Sequence, residues 1–101
     1  MPGVVRQNID KHIGHASSTA NPFHQTPYST AGQSKVLAEN ANVVVVPGGQ
    51  TGCGDPASGK SGKVFAGGAG KGVHRKGDDT SGHGSWPGNA AQTGSSKVIA
   101  G

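Results

Sequence analysis

Hydrophobic residues are sparse along this chain and come in short β-branched clusters separated by polar, glycine-rich turns. No stretch repeats its apolar residues every 3.6 positions between recognisable caps, so no amphipathic helix stands out. Residues 34–37 and 36–42 could each begin a helix, but their Gly-rich flanks and the repeat described next favour strands. Three clusters share one phrase: Lys35-Val36-Leu37-Ala38, Lys63-Val64-Phe65-Ala66 and Lys97-Val98-Ile99-Ala100. The copies begin 28 and 34 residues apart. A phrase returning at such a period predicts a body assembled from repeated small units. Each unit reads as one β-hairpin, entered through small residues that make a tight turn: Gly32-Gln33-Ser34, Lys60-Ser61-Gly62 and Gly94-Ser95-Ser96. After Pro47, Gly and Pro recur every few residues, which predicts turn after turn between short strands. The expectation is a single all-β domain, pseudo-threefold, with approximate repeats 1–42, 43–70 and 71–101. Val36, Val64 and Val98 occupy equivalent positions and are expected to converge on the axis. Together with Val43-Val44-Val45-Val46 they are candidates for either core or base.

Composition narrows how such a fold can hold together. Of 101 residues, 19 are Gly, and the aromatics are two Phe, one Tyr and one Trp. The core this permits is thin, so either the chain is disordered or something besides a core staples it. Disordered segments rarely place β-branched clusters at repeated positions, which argues for a folded chain. The lone cysteine excludes an internal disulfide framework. Five His beside that Cys make a metal ion the better staple.

The formal charge is +4 and the pI about 9.6, but the basic residues are scattered. The densest group, Lys71, Arg75 and Lys76, has no aromatics interleaved, so a nucleic-acid partner is poorly supported. Lys on solvated sheet edges explains the charge better. No N-terminal signal peptide is evident, and no apolar run approaches the roughly 20 residues a bilayer crossing needs. Synthesis in the cytosol, with any export by another route, is the expectation.

A second repetition carries the chemistry. Val5-Arg6 leads through Asp10 to His15, and His74-Arg75 leads through Asp78 to His83. The Asp-to-His spacing is five in both, whereas Arg-to-Asp is four in the first and three in the second. Gly14 precedes His15, and Gly82 and Gly84 flank His83. A shared role for His15 and His83 follows.

In this order and spacing the chain resembles the PAAR-repeat proteins. The residues that carry the resemblance span nearly the whole chain. They are Pro2-Gly3-Val4-Val5-Arg6 at the start, Gly77-Asp78 leading to His83-Gly84, and Gly94-Ser95-Ser96-Lys97-Val98-Ile99-Ala100-Gly101 at the end. The namesake Pro-Ala-Ala-Arg is altered, and the middle part lacks its Arg. The resemblance implies a short cone of three hairpin-like repeats whose base sits on a homotrimeric β-helical spike, one monomeric tip per trimer. A metal ion, usually zinc held by three His and one Cys, lies near the apex. Such tips belong to contractile phage tails and type VI secretion spikes, and they pierce the target cell envelope. They are not enzymes unless an effector is fused. The lack of a toxin extension and the altered motif favour a phage virion.

The ligands the resemblance implies are His15, Cys53 in Thr51-Gly52-Cys53-Gly54, His83, and His24 in Pro22-Phe23-His24-Gln25. His12 is the alternative to His24 or His15, because the extra residue before Asp10 leaves the register open. His74 stands where an apolar strand residue is expected and is read as no ligand. Four chain ligands would close the coordination sphere, which makes the metal structural. Ligand type alone leaves iron open. Two other classes compete. A metal carrier or free metal-binding module would bring its ligands from close in sequence, and these are dispersed. A Cys53-His83-Asp78 nucleophile is conceivable, but no helix start or substrate motif accompanies it.

Overall fold

In a computed structural model, which describes residues 2–15, 24–68, 70–84 and 86–101, the chain is built from strands and bridges. No helix occurs among the described residues. The named strands are short: β1 (Tyr28–Thr30), β2 (Leu37–Ala38), β3 (Ala41–Asn42), β4 (Val45–Val46), β5 (Gln50–Thr51) and β6 (Gly72–Val73). They pair antiparallel as β1 with β5, β2 with β3, and β4 with β6. The body measures 38 × 24 × 22 Å.

Three segments, residues 3–6, 42–45 and 72–75, hold the centre in a closed ring of backbone hydrogen bonds. Val5 N donates to His74 O, His74 N to Val44 O, and Val44 N to Val5 O, each at 2.9 Å. Consecutive side chains on a strand point to opposite faces, and here the two faces feed two cores. Val4, Val43 and Val73 enter one cluster with Val45, Ala38, Ala66 and Ala100. Val5 and Val44 enter the other with Tyr28, Ala31, Ala57 and Ala91.

Each repeated phrase hangs on this ring in the same way. Val4, Val43 and Val73 donate to the carbonyls of Val98, Val36 and Val64, each at 3.0 Å. The turn into each phrase is closed by one side chain. Ser61 Oγ accepts from the Lys63 and Val64 amides, and Ser95 Oγ from those of Lys97 and Val98. In the first phrase Gln33 Oε1 substitutes, accepting from Lys35 and Val36. Gly3 and Gly72 lie against the Ser95 and Ser61 carbonyls so closely that a Cβ would meet those oxygens at 1.9 and 2.6 Å.

One expectation is overturned here. Val36, Val64 and Val98 do not converge on an axis; they are 40, 38 and 38% exposed. The phrase's alanines, Ala38, Ala66 and Ala100, are buried instead. The three alanine methyl groups pack with Val4, Val43, Val45 and Val73 in the first cluster, and the larger residues of each phrase face outwards. Leu37, Phe65 and Ile99 are exposed as well, so each phrase presents an apolar pair to solvent; Ile9 and Ile13, on the segment leading to His15, are exposed too.

The hairpin of β2 and β3 turns through Glu39 and Asn40, both at positive φ (52° and 70°). Paired positive φ values match the twist of the flanking strands. Glu39 is held there by Arg6 Nη1 and Ser95 Oγ, which donate to its Oε2 at 2.7 and 2.6 Å.

His74 occupies the ring position equivalent to Val5 and Val44, and it is fully buried. Its Nδ1 donates to Gly59 O at 2.6 Å, and its Nε2 accepts from the Tyr28 hydroxyl at 2.8 Å. This is a neutral tautomer built into the core. Burial lowers its pKa from 6.5, with the Gly59 hydrogen bond acting in the opposite direction. A depressed folded-state pKa contributes stability that is complete above the unfolded value and is lost as pH falls below it. At fixed metal loading, the urea-unfolding free energy of the wild type should therefore fall below about pH 6.5. It should fall more steeply than that of His74→Gln, and identical slopes would assign the acid sensitivity to other groups.

Candidate metal centre

On the other face of the ring, two turns repeat the same ion pair and lead to the histidines. Arg6 donates to Asp10 through Nε (2.7 Å), Nη2 (2.9 Å) and its backbone N (2.8 Å). Arg75 does the same to Asp78 at 2.8, 3.1 and 2.9 Å. The extra residue of the first turn is taken up by Asn8 at φ 63°, whereas the shorter turn uses Gly77 at φ 88°. Past the turns, His15 pairs with His24 through two backbone hydrogen bonds of 3.0 Å, and His83 pairs likewise with Trp86. Val45 stands at the equivalent ring position in the middle segment, which has no such ion pair. There Cys53 comes from the turn after β5, with Gly54 at φ 93°.

These turns bring the four expected ligands together. The ligand atoms of His15, His24, Cys53 and His83 all lie within 4.8 Å of one another. His15 Nε2 is 2.9 Å from His24 Nε2 and 3.0 Å from His83 Nε2; His24 and His83 are 3.2 Å apart. Cys53 Sγ is 3.9 Å from His15 Nε2. An imidazole nitrogen offers one in-plane lone pair or one N–H. Three converging Nε2 atoms therefore cannot satisfy one another by hydrogen bonds, but they can share a cation. Zinc bonds of about 2.0–2.1 Å to N and about 2.3 Å to S require tetrahedral edges of about 3.3 and about 3.6 Å. The three N···N spacings lie slightly below the first value and the Sγ–His15 spacing slightly above the second, so small side-chain adjustments would complete the set. The chain thus contains His and Cys groups able to hold a metal ion.

The surroundings suit that role. His15 Nδ1 lies 2.8 Å from Pro87 O, which can only accept, so its proton is on Nδ1 and Nε2 is bare. The His83 ring stacks on Trp86 with centroids 5.0 Å apart at 25°, and Trp86 meets His24 edge-on at 5.0 Å. Burial, with the His15 and His24 neighbours, lowers the His83 pKa and favours the unprotonated ring a metal needs.

His12, the alternative ligand, does not join the four. It is fully buried, with Nδ1 3.3 Å from Asp55 Oδ2 and Nε2 3.9 Å from Cys53 Sγ. Burial lowers its pKa, against the pull of Asp55. His12, His15 and Asp55 form a second group of ligand type, but the His15 nitrogen facing Asp55 carries the proton given to Pro87. His74 lies in the core, paired with Tyr28. Asp78, considered as part of a nucleophile arrangement, is engaged by Arg75. Of the expected His24 motif, Pro22 and Phe23 lie outside the described residues. Sequence reasoning missed Asp55, Trp86 and Pro87; only Trp86, the single Trp three residues after His83, offered a signal.

No protein-family model matches this chain, and neither a curated protein nor a solved structure matches it.

Proposed function

We propose that the chain is a PAAR-like tip: a small cone of three hairpin-like repeats that caps a homotrimeric β-helical spike and sharpens it for piercing a target cell envelope. The observation that carries this reading is the division of the molecule about its central ring. One face bears three copies of an exposed apolar pair, Val36 and Leu37, Val64 and Phe65, Val98 and Ile99. The other face leads to the His/Cys cluster. Three similar edges suit a partner with three identical faces, so one monomeric tip per trimer follows. Zinc held by His15, His24, Cys53 and His83 would tie the narrow end, where glycine-rich turns have little apolar packing of their own. With four ligands from the chain the metal is structural, and the protein is not an enzyme. A place at the tail tip of a phage virion is favoured over a type VI secretion spike, which shares the same design. A free metal-binding module would have no use for the apolar face.

The test uses the trimeric spike purified from the same phage or secretion system. Native mass spectrometry should find one chain per trimer. Phe65→Asp, at an exposed position, should weaken capping at least about tenfold by placing a charge in an apolar interface. Fold and metal content should be unchanged in that variant. Capping that survives Phe65→Asp and Ile99→Asp alike would reject this face as the base, and no capping by the wild type would reject the tip reading.

A further inference from the structure

Beneath the four ligands lies a carboxylate that neither the repeated phrases nor the ligand set accounts for. Asp55 is fully buried. Its Oδ1 accepts from the backbone N–H of Gly82, adjacent to His83. Its Oδ2 accepts from Thr80 Oγ1 at 2.7 Å, Asn89 Nδ2 at 3.2 Å and His12 Nδ1 at 3.3 Å. The Asp55 backbone closes the cysteine turn: its carbonyl accepts from Thr51 N, and its N–H donates to Thr51 Oγ1. That same hydroxyl touches Cys53 Sγ at 3.2 Å. One residue therefore reaches the segments carrying Cys53, His83 and His15, which come from distant parts of the chain.

We propose that Asp55 is the positioning residue of the metal centre, holding the Cys53, His15 and His83 turns in the register that makes their ligand atoms converge. This rests on the metal reading above. Two physical reasons support it. A buried carboxylate persists only when its oxygens are met by donors, and these donors come from three separate segments, so satisfying the carboxylate fixes those segments against one another. A divalent ion bound by three neutral imidazoles and one thiolate also carries a net positive charge, which a buried carboxylate close by offsets. Groups behind the ligands commonly change metal affinity by about 10–100-fold when removed. Asp55 touches none of the four ligand side chains within hydrogen-bond distance; it acts through their turns.

The test compares wild type, Asp55→Asn and Val73→Ala, a core variant in the other apolar cluster, with the phrase alanines, using cobalt(II) as probe and zinc by chelator competition. Asn keeps the shape but presents an NH2 to Thr80, Asn89 and His12, which already donate. Asp55→Asn is expected to bind about 10–100-fold more weakly and to shift and broaden the visible ligand-field bands of the cobalt form at saturation. Val73→Ala should lower thermal stability and leave those bands in place. Wild-type affinity together with wild-type bands in Asp55→Asn would overturn the positioning role while leaving the metal site standing. So would an affinity loss equal to that of Val73→Ala with unshifted bands. A wild type that binds neither metal would overturn the metal reading and this inference with it. Should Asp55→Asn fail to fold, Thr80→Val removes one donor and keeps the carboxylate. A few-fold weaker binding with shifted bands supports the role, and no change overturns it.

Discussion

Protein purified without a metal-affinity tag is expected to carry one zinc per monomer, and stripping that ion should collapse the fold. Native mass spectrometry reads the first part. His83→Ala and Cys53→Ala should be metal-free, whereas His74→Ala should keep its ion, because His74 bonds Tyr28 and Gly59 in the core. The size of the second part follows from how little else holds the chain together. The two apolar clusters consist of Val, Ala and one Tyr, and a single buried Val is worth only about 1.5–3 kcal/mol. Structural zinc contributes on the order of 10 kcal/mol in zinc-finger peptides. Small domains have only about 5–15 kcal/mol in total. Chelated protein should therefore lose most of its cooperative thermal transition and recover it on adding zinc. A metal-free wild type melting at the same temperature as the zinc-loaded form would remove the metal from the account and leave the ring of strands as the sole basis of the fold.

The second large effect is expected at Arg6. Arg6 and Arg75 make near-identical three-bond contacts to Asp10 and Asp78, but the two carboxylates differ in their access to water. The Asp10 side chain is 1% exposed and that of Asp78 15%. Burial alone would raise the Asp10 pKa; hydrogen bonds from Arg6 and from Thr93 Oγ1 (2.7 Å) outweigh it and hold the carboxyl below its ordinary value. Arg6→Ala strands that charge, and breaking a buried pair from one side costs about 3–5 kcal/mol. Arg6 also anchors Glu39, so the first hairpin loosens with it. Arg75→Ala should cost only about 1 kcal/mol, since water reaches Asp78. Urea unfolding of the zinc-loaded variants measures both. Arg6→Ala/Asp10→Asn should regain part of the loss. Equal losses at Arg6 and Arg75 would show that burial of the carboxylate is not what sets the cost.

The sequence by itself carried what depends on spacing and local chemistry. Absence of a 3.6-residue apolar period, together with Gly and Pro at short intervals, specified strands and turns, and the chain is strand-built throughout the described residues. The repeated phrase marked three segments that hang on the ring by equivalent hydrogen bonds. The equal Asp-to-His spacing singled out His15 and His83, whose Nε2 atoms the fold sets 3.0 Å apart. Tertiary structure decided what depends on which face meets which neighbour. A strand alternates its side chains, but nothing in Lys-Val-x-Ala says which side another segment covers. The ring buries the alanines and turns Val36, Val64 and Val98 outwards. Choosing between His12 and His24 likewise required the partners of both. His24 is set beside His15 by a backbone pair, whereas His12 points its Nδ1 at Asp55. Asp55 itself carries no sequence signal, because its donors lie at positions 12, 80, 82 and 89. Only folding brings them to one carboxylate.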